Sequence, residues 1–314
     1  MTQLTTLSGT SPSRFAFGTM QFGGKADETA SRALFDACRA AGIRHFDTAH
    51  VYTGGASETL LGQCAAAERE ALFIATKAGY VGGSSRDNIL TTFGISQKRL
   101  GMDVIDLLYL HRFDDDTPLE ETFETLAGLQ TSGKIRYIGV SNFAAWQVMK
   151  AQAVAARFDT RIDVIQPMYN LVKRQAEVEI LPMCASEGIL AVPYSPLGGG
   201  LLTGKYAGGR AGGRAGRLTE DERYGARYGQ PHMHDSAQAL VDLAEDVGSD
   251  PATLAVAWVS YHASRPVPIL SARSAEQLRP SIDGMRYPMD DDLYARISAL
   301  SATPPPATDR LEEA

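Results

Sequence analysis

Ile105-Asp106-Leu107-Leu108-Tyr109-Leu110-His111 is a mostly apolar run that ends on a histidine. A short apolar run of this kind reads as a buried strand with a polar residue at its C-terminal end. Seven more runs read as strands: Phe15–Gly18, His45–Thr48, Leu72–Lys77, Ile135–Ser141, Val164–Tyr169, Leu190–Ser195 and Val267–Ser271. Helical spacing falls between them. Glu28–Ala41 places Ala30, Ala33, Leu34, Ala37 and Cys38 three or four residues apart. Pro118–Ser132 has Thr117 as N-cap, Pro118 at the first helical position, Glu120 and Glu121 in the first turn, and Gly133 as its stop. The first seven strands start about 30 residues apart, the length of one βα unit. Eight such units predict a (β/α)8 barrel, and with no dividing linker the whole chain, 1–314, reads as one domain. A doubly wound sheet would want GxGxxG after the first strand, and Gly18-Thr19-Met20-Gln21-Phe22-Gly23 does not supply it.

The spacing breaks once, where about 70 residues separate the seventh strand from the eighth, far beyond an ordinary loop. This insertion holds the Gly/Arg-rich stretch Ala207–Tyr228, with Arg210, Arg214, Arg217, Arg223 and Arg227. It opens on the C-terminal face, where barrel enzymes bind phosphate, so two readings stand: a loop closing over an anionic ligand, or a solvated insertion. The tail, residues 302–314, reads as frayed.

Composition narrows the function. Apolar residues at 44% and charged residues at 21% suit a globular protein and exclude global disorder. A net charge of −7 argues against a nucleic-acid partner, which needs a basic footprint. Cys38, Cys64 and Cys184 are scattered, odd in number and without a CxxC, as expected of buried reduced thiols in a cytoplasmic protein. The first residues lack a basic segment followed by an apolar one, and no run reaches the length of a membrane span. Two motifs are decoys. Gly199–Lys205 matches the start of a P-loop, but Tyr206 stands where Ser or Thr should hold magnesium. His232-Met233-His234 has metal-ligand spacing but falls in the insertion, where we expect an exposed loop and no metal.

Four polar residues sit at or just past strand ends: Asp47 and Tyr52 after the second, Lys77 on the third and His111 on the fourth. A barrel would gather them at its C-terminal mouth. The chemistry they point to is proton transfer. A tyrosine hydroxyl, with a pKa of about 10, is a poor acid at neutral pH, and a nearby ammonium lowers that value. A carboxylate keeps the lysine charged and in place, and a histidine can orient a carbonyl oxygen against the tyrosine proton. Hydride must then come from a nicotinamide, since no side chain supplies it.

Together with the surrounding segments, these residues resemble the aldo-keto reductases, most closely the aflatoxin-aldehyde reductase branch. The segments are Phe46-Asp47-Thr48-Ala49 with Tyr52; Ser57-Glu58-Thr59-Leu60-Leu61-Gly62; Ala75-Thr76-Lys77; Asp106–His111; Gly133-Lys134-Ile135-Arg136 with Gly139-Val140-Ser141-Asn142; Gln166 with Tyr169-Asn170; and Ser195-Pro196-Leu197 with Gly204-Lys205. They cover residues 18 to 282 in the family's order.

The resemblance implies a catalytic tetrad of Asp47, Tyr52, Lys77 and His111. It implies cofactor contacts at Gly18, Thr19, Met20 and Asp47, a nicotinamide amide held by Ser141, Asn142 and Gln166, and a ring stacked on Tyr194. Pyrophosphate would lie against Ser195, Pro196, Leu197, Gly199, Leu201 and Lys205. Ser271, Arg273 and Gln277 fall at the adenosine end. Two departures occur there: Ser271 stands where the family usually has Gly, and Ser281 where it usually has Asn. Arg273 suits the ribose phosphate, because a planar guanidinium bonds two phosphate oxygens, and it favours NADPH over NADH. Phe22, Val51 and Phe113 are expected to wall the substrate pocket with Tyr52 and His111.

The function implied is NADPH-dependent reduction of aldehydes, and possibly of ketones, with Tyr52 as general acid. The same site run backwards would be an alcohol or sugar dehydrogenase, and a cofactor-binding regulatory subunit like the potassium-channel β subunits shares the barrel. The partner expected is a small-molecule carbonyl compound, with no nucleic acid and no membrane. Neither one substrate nor an oligomeric state follows, because specificity in this fold lies in its loops.

Overall fold

The computed structural model describes residues 3–206 and 216–313. Eight strands form: β1 (Ala16–Gly18), β2 (His45–Asp47), β3 (Phe73–Ala78), β4 (Ile105–Leu110), β5 (Ile135–Ser141), β6 (Val164–Gln166), β7 (Leu190–Ala191) and β8 (Ile269–Leu270). All pairings are parallel, and the ladder runs β7-β6-β5-β4-β3-β2-β1-β8. The sheet is strongly curled. Gln166 at the end of β6 donates to Asp47 at the end of β2 across 2.9 Å. Four strand spacings separate these strands in the ladder, about 19 Å if the sheet were flat. The architecture is a (β/α)8 barrel, with helices α1 (Glu28–Ala40), α2 (Ala56–Ala65), α3 (Arg86–Leu100), α4 (Leu119–Thr131), α5 (Ala145–Ala155) and α6 (Ile180–Glu187) between successive strands.

Every expected strand is present, and β5 matches to the residue. β6, β7 and β8 are shorter than their sequence runs for one reason. Pro167 follows β6, Pro193 lies two residues beyond β7, and Pro268 precedes β8. Proline cannot donate to a ladder, so pairing stops or starts there. In α1, Asp27 caps Ala30 N–H at 2.8 Å, and the buried face is Ser31, Leu34, Phe35 and Cys38, while Ala33 is exposed. α4 begins one residue later than expected. Pro118 is its cap, and the Thr117 hydroxyl donates to Asp114 at 2.6 Å instead of capping the helix.

Contacts group the chain into two compact units. The first is Met1–Pro167, Met183–Val192 and Ile269–Leu278, and it holds the entire sheet; the second is Met168–Pro182, Pro193–Pro268 and Arg279–Ala314. The long connection between β7 and β8 contains α7 (Arg217–Glu220), α8 (Glu222–Tyr228), α9 (Pro231–Asp246) and α10 (Pro251–Tyr261); α11 (Ala275–Gly284) and α12 (Asp291–Ser298) follow β8. The second unit packs around Trp258, which is fully buried, donates to Ser298 Oγ at 2.8 Å and lies 5.2 Å from the Tyr169 ring.

Arg210 and Arg214 lie outside the described residues. Of the remaining arginines expected in the insertion, Arg217 and Arg227 stand over the Tyr224 ring at 4.8 and 5.3 Å, and Arg223 pairs with Asp221 at 3.0 Å. His232-Met233-His234 is helical, in α9, rather than an exposed loop. Residues two apart on a helix project about 200° from each other, so this spacing does not join the two imidazoles. All three cysteines are free and buried, and burial pushes the Cys184 thiol up to about 12. Among the described residues, no helix is long and apolar enough to cross a membrane.

Candidate active site

Strands β2, β3 and β4 deliver three of the four expected residues to one end of the sheet. Asp47 is the last residue of β2, Lys77 lies near the end of β3, and His111 directly follows β4, its N–H bound to Ala78 O at 2.8 Å. Asp47 and Lys77 are buried, at 2% and 1% exposure, and paired with each other. An unpaired buried charge would be far costlier, so the pair and its hydrogen bonds come as a set. Lys77 Nζ donates to one Asp47 oxygen and to Thr48 O at 2.8 Å, while Gln166 Nε2 donates to the other Asp47 oxygen.

Tyr52 arrives from the turn after β2. Its hydroxyl is 3.5 Å from Lys77 Nζ, the ammonium sits 5.1 Å from its ring centre, and the ring meets His111 edge-on at 5.8 Å. The buried Tyr109 ring lies 5.6 Å from the same ammonium. The four expected residues therefore form one cluster.

The electrostatics follow from burial and pairing. Burial works against the Lys77 ammonium, but Asp47 and then Tyr52 outweigh it and hold its pKa above the ordinary value. Burial pushes the Asp47 carboxyl up, opposed by Lys77 and by the hydrogen bonds from Lys77 and Gln166. Burial, with Lys77 and Arg112, takes His111 down to about 3, so its imidazole is neutral at pH 7. Among the described residues, His111 Nδ1 is buried without a partner. A stranded N–H donor is costlier than a stranded acceptor, which favours the tautomer with its proton on Nε2.

The residues expected at the nicotinamide amide continue the network. Ser141 Oγ donates to Gln166 O at 3.0 Å, and Asn142 Nδ2 donates to His111 O at 3.0 Å and Ser141 Oγ at 3.1 Å. Asn142 has φ +57, a conformation that costs a non-glycine residue and that clusters at functional sites. Thr19 is fully buried and binds Asp47 O through its amide at 2.8 Å and its hydroxyl at 3.2 Å, which fixes the end of β2 between Gly18 and the half-buried Met20. Past β8, Ser271 is exposed, and Arg273 N–H is bound by Gln277 Oε1 at 2.8 Å, just ahead of α11.

The second unit carries the other expected cofactor residues: Tyr194, Ser195, Pro196 and Leu197 lead into a turn over Gly198–Thr203 that includes Gly199 and Leu201. Ser195, Gly198, Gly199 and Gly200 all have positive φ, from +55 to +98. A Cβ on Gly200 would sit 2.9 Å from Lys205 Nζ. Bare glycine backbone beneath an ammonium is a cradle suited to an anion such as a pyrophosphate.

The expected pocket walls divide. Val51 and Phe113 are half-buried, and Phe113 packs edge-on against Phe143 at 5.1 Å. Phe22 is fully buried, 6.0 Å from Phe17, and presents no surface. Sequence reasoning missed Tyr80 and Trp146. Tyr80 is 44% exposed with its ring 4.8 Å from His111, and Trp146 is 59% exposed and 6.0 Å from Phe113. The available signal was an aromatic three residues past Lys77 and another five past Ser141.

Comparison with known proteins agrees with this geometry. The model of the "Aldo/keto reductase family" matches residues 14–302. The chain is 33% identical to the uncharacterized oxidoreductase YrpG of Bacillus subtilis (95% of this chain, 94% of the relative). It is 32% identical to a probable voltage-gated potassium channel subunit beta of Oryza sativa subsp. japonica (86% and 87%). It is 34% identical to the protein tas of Escherichia coli strain K12 (92% and 94%). A barrel with this residue set at the strand ends, and a family match over most of its length, place the chain in the aldo/keto reductase family of oxidoreductases.

Proposed function

We propose that the protein reduces aldehydes to alcohols with NADPH, using Tyr52 as the general acid. The observation that carries this reading is the buried Lys77–Asp47 pair with Tyr52 Oη 3.5 Å from the ammonium and a neutral His111 beside its ring.

Ser141, Asn142 and Gln166 fit a carboxamide, since they combine donors and acceptors. The glycine turn with Lys205 fits a pyrophosphate, and Arg273 fits a ribose phosphate. When bound, the nicotinamide supplies the hydride. This chain's residues do the rest. His111 Nε2–H donates to the carbonyl oxygen and fixes its direction. Tyr52 gives its proton to that oxygen. The Lys77 ammonium stabilises the negative charge left on the Tyr52 oxygen, and Asp47, itself held by Gln166, keeps Lys77 charged and in place. Solvent then returns a proton to Tyr52.

The exposed aromatics Tyr80 and Trp146, with Phe113, favour uncharged aldehydes over sugars. The test is consumption of NADPH and of NADH across nitrobenzaldehydes, short aldehydes, dicarbonyls and aldoses. The reading expects turnover of simple aldehydes with NADPH preferred. Turnover confined to a sugar or secondary alcohol with oxidised cofactor would make it a dehydrogenase. Tight cofactor binding without turnover would make it a binding module.

A further inference from the structure

Tyr52 stands on a turn of left-handed backbone. It opens the four-residue turn Tyr52–Gly55, in which Thr53, Gly54 and Gly55 have φ of +46, +63 and +102. Gly54 and Gly55 take such angles freely, so Thr53 is the strained member and needs its surroundings to hold it. Thr53 is tied locally, its hydroxyl donating to Phe22 O at 2.8 Å and accepting the Ser57 N–H at 2.9 Å, and a second side chain holds the flanks of Tyr52. Arg99, in the last turn of α3, donates from Nη1 to His50 O at 2.9 Å and to Glu58 Oε2 at 3.1 Å, and its Nη2 reaches Gly54 O at 3.4 Å. Its guanidinium thus binds backbone on both sides of Tyr52. It also explains Gly55, where a Cβ would collide with the guanidinium carbon and lie 2.7 Å from Nη2.

The contact continues to the other half of the acid. Glu58 is fully buried, and its second oxygen accepts the Thr76 hydroxyl at 2.7 Å. Thr76 precedes Lys77 on β3, and His50 N–H binds Lys77 O at 3.1 Å. Arg99 and Glu58 therefore join the Tyr52 turn to the strand that carries the Lys77 ammonium.

We infer that Arg99 is a positioning residue: its guanidinium, anchored on the buried Glu58 carboxylate, holds the Tyr52 turn in register with Lys77. The inference rests on Tyr52 being the proton donor. A planar fork with several fixed donors does this, whereas a lysine ammonium is a single point that cannot span His50 O, Gly54 O and Glu58 together. Displacement of a reacting group by about 1 Å can cost about 100-fold in rate, so the effect should appear in turnover.

The experiment uses Arg99→Ala, Arg99→Lys and the double variant Glu58→Gln/Arg99→Ala, which leaves no unpaired buried carboxylate if the single variant does not fold. Four quantities are read: kcat for an aldehyde, Kd for NADPH by fluorescence, backbone amide exchange by segment, and kcat of Arg99→Ala with millimolar guanidinium added. The expected result is a kcat lower by about 10- to 100-fold, which Arg99→Lys does not restore and free guanidinium partly does. Cofactor Kd should stay unchanged, and faster exchange should be confined to residues 50–57. Unchanged kcat would overturn the inference. So would exchange rising alike through β2, β3 and α3 with loss of cofactor binding, which would mark a general structural role. If the wild-type protein reduces no aldehyde, the functional reading falls, and the exchange pattern still decides whether Arg99 holds this turn.

Discussion

Lys77 is where the chemistry and the burial meet. It is 1% exposed, yet Asp47 and Tyr52 hold its pKa above the ordinary value. Lys77→Met would leave Asp47 buried beside Gln166 with no cation, and would remove the charge that favours ionised Tyr52. We expect a large loss of turnover, with the pKa that controls the residual rate displaced upward. A pH–rate profile measures this; an unshifted profile at normal rate would reduce Lys77 to a structural residue. These residues were legible in the sequence because each closes or follows an apolar run, where a polar side chain has few structural reasons to be. Tyr80 and Arg99 were not legible. Tyr80 reaches His111 only through the course of the loop after β3, and Arg99 reaches the backbone on either side of Tyr52 from the last turn of α3, which reads in sequence as an ordinary basic helix end.

At the scale of elements, the two segments proposed to hold the cofactor differ in how they fit an anion. The turn over Gly198–Thr203 offers glycine backbone beneath Lys205, while the segment before α11 offers the Arg273 guanidinium with its backbone tied to Gln277. If Arg273 reads the ribose phosphate, Arg273→Ala should weaken NADPH binding about 10- to 100-fold, since charge-assisted bonds are worth roughly 1.5–3 kcal/mol, and leave NADH nearly untouched. Fluorescence titration with both cofactors checks it, and equal losses would remove the basis for NADPH preference. The strands were legible from their apolar runs: the first four, which no proline interrupts, lie within one residue of expectation at each end, and β5 matches to the residue. The ends of β6, β7 and β8 were misjudged because an apolar run continues through a proline while a ladder does not. Thr117 was misjudged as a cap because its hydroxyl has a stronger acceptor in the Asp114 carboxylate.

Over the whole molecule, two buried imidazoles link stability to acid. Burial and Lys77 take His45 down to about 3, and His111 is likewise held at about 3. Both lie below the unfolded value of about 6.5. The unfolded chain therefore binds protons between those values that the native chain does not. Their contribution to stability is complete above pH 6.5 and is lost as pH falls towards 3, by up to about 1.4 kcal/mol per pH unit for each histidine. His45 tests this apart from the active site, since it sits at the start of β2 and, among the described residues, its Nε2 is buried without a partner. Urea unfolding of His45→Leu should show a flatter fall in stability across that range than the wild-type protein. Parallel curves would mean that native His45 takes up its proton as readily as the unfolded chain.

The cluster of Asp47, Lys77, Tyr52 and His111 stands or falls on what the tyrosine hydroxyl does. Replacing Tyr52 with Phe deletes one oxygen and keeps the ring that lies against His111. If that hydroxyl gives its proton to the carbonyl oxygen, it acts in the transition state alone, and its loss lowers kcat and kcat/KM together. The deciding measurement is steady-state reduction of an aldehyde by wild-type protein and by Tyr52→Phe, with NADPH binding measured alongside. The account predicts kcat and kcat/KM lower by about 10²- to 10⁴-fold with cofactor affinity unchanged. A variant that keeps most of the wild-type kcat would contradict it.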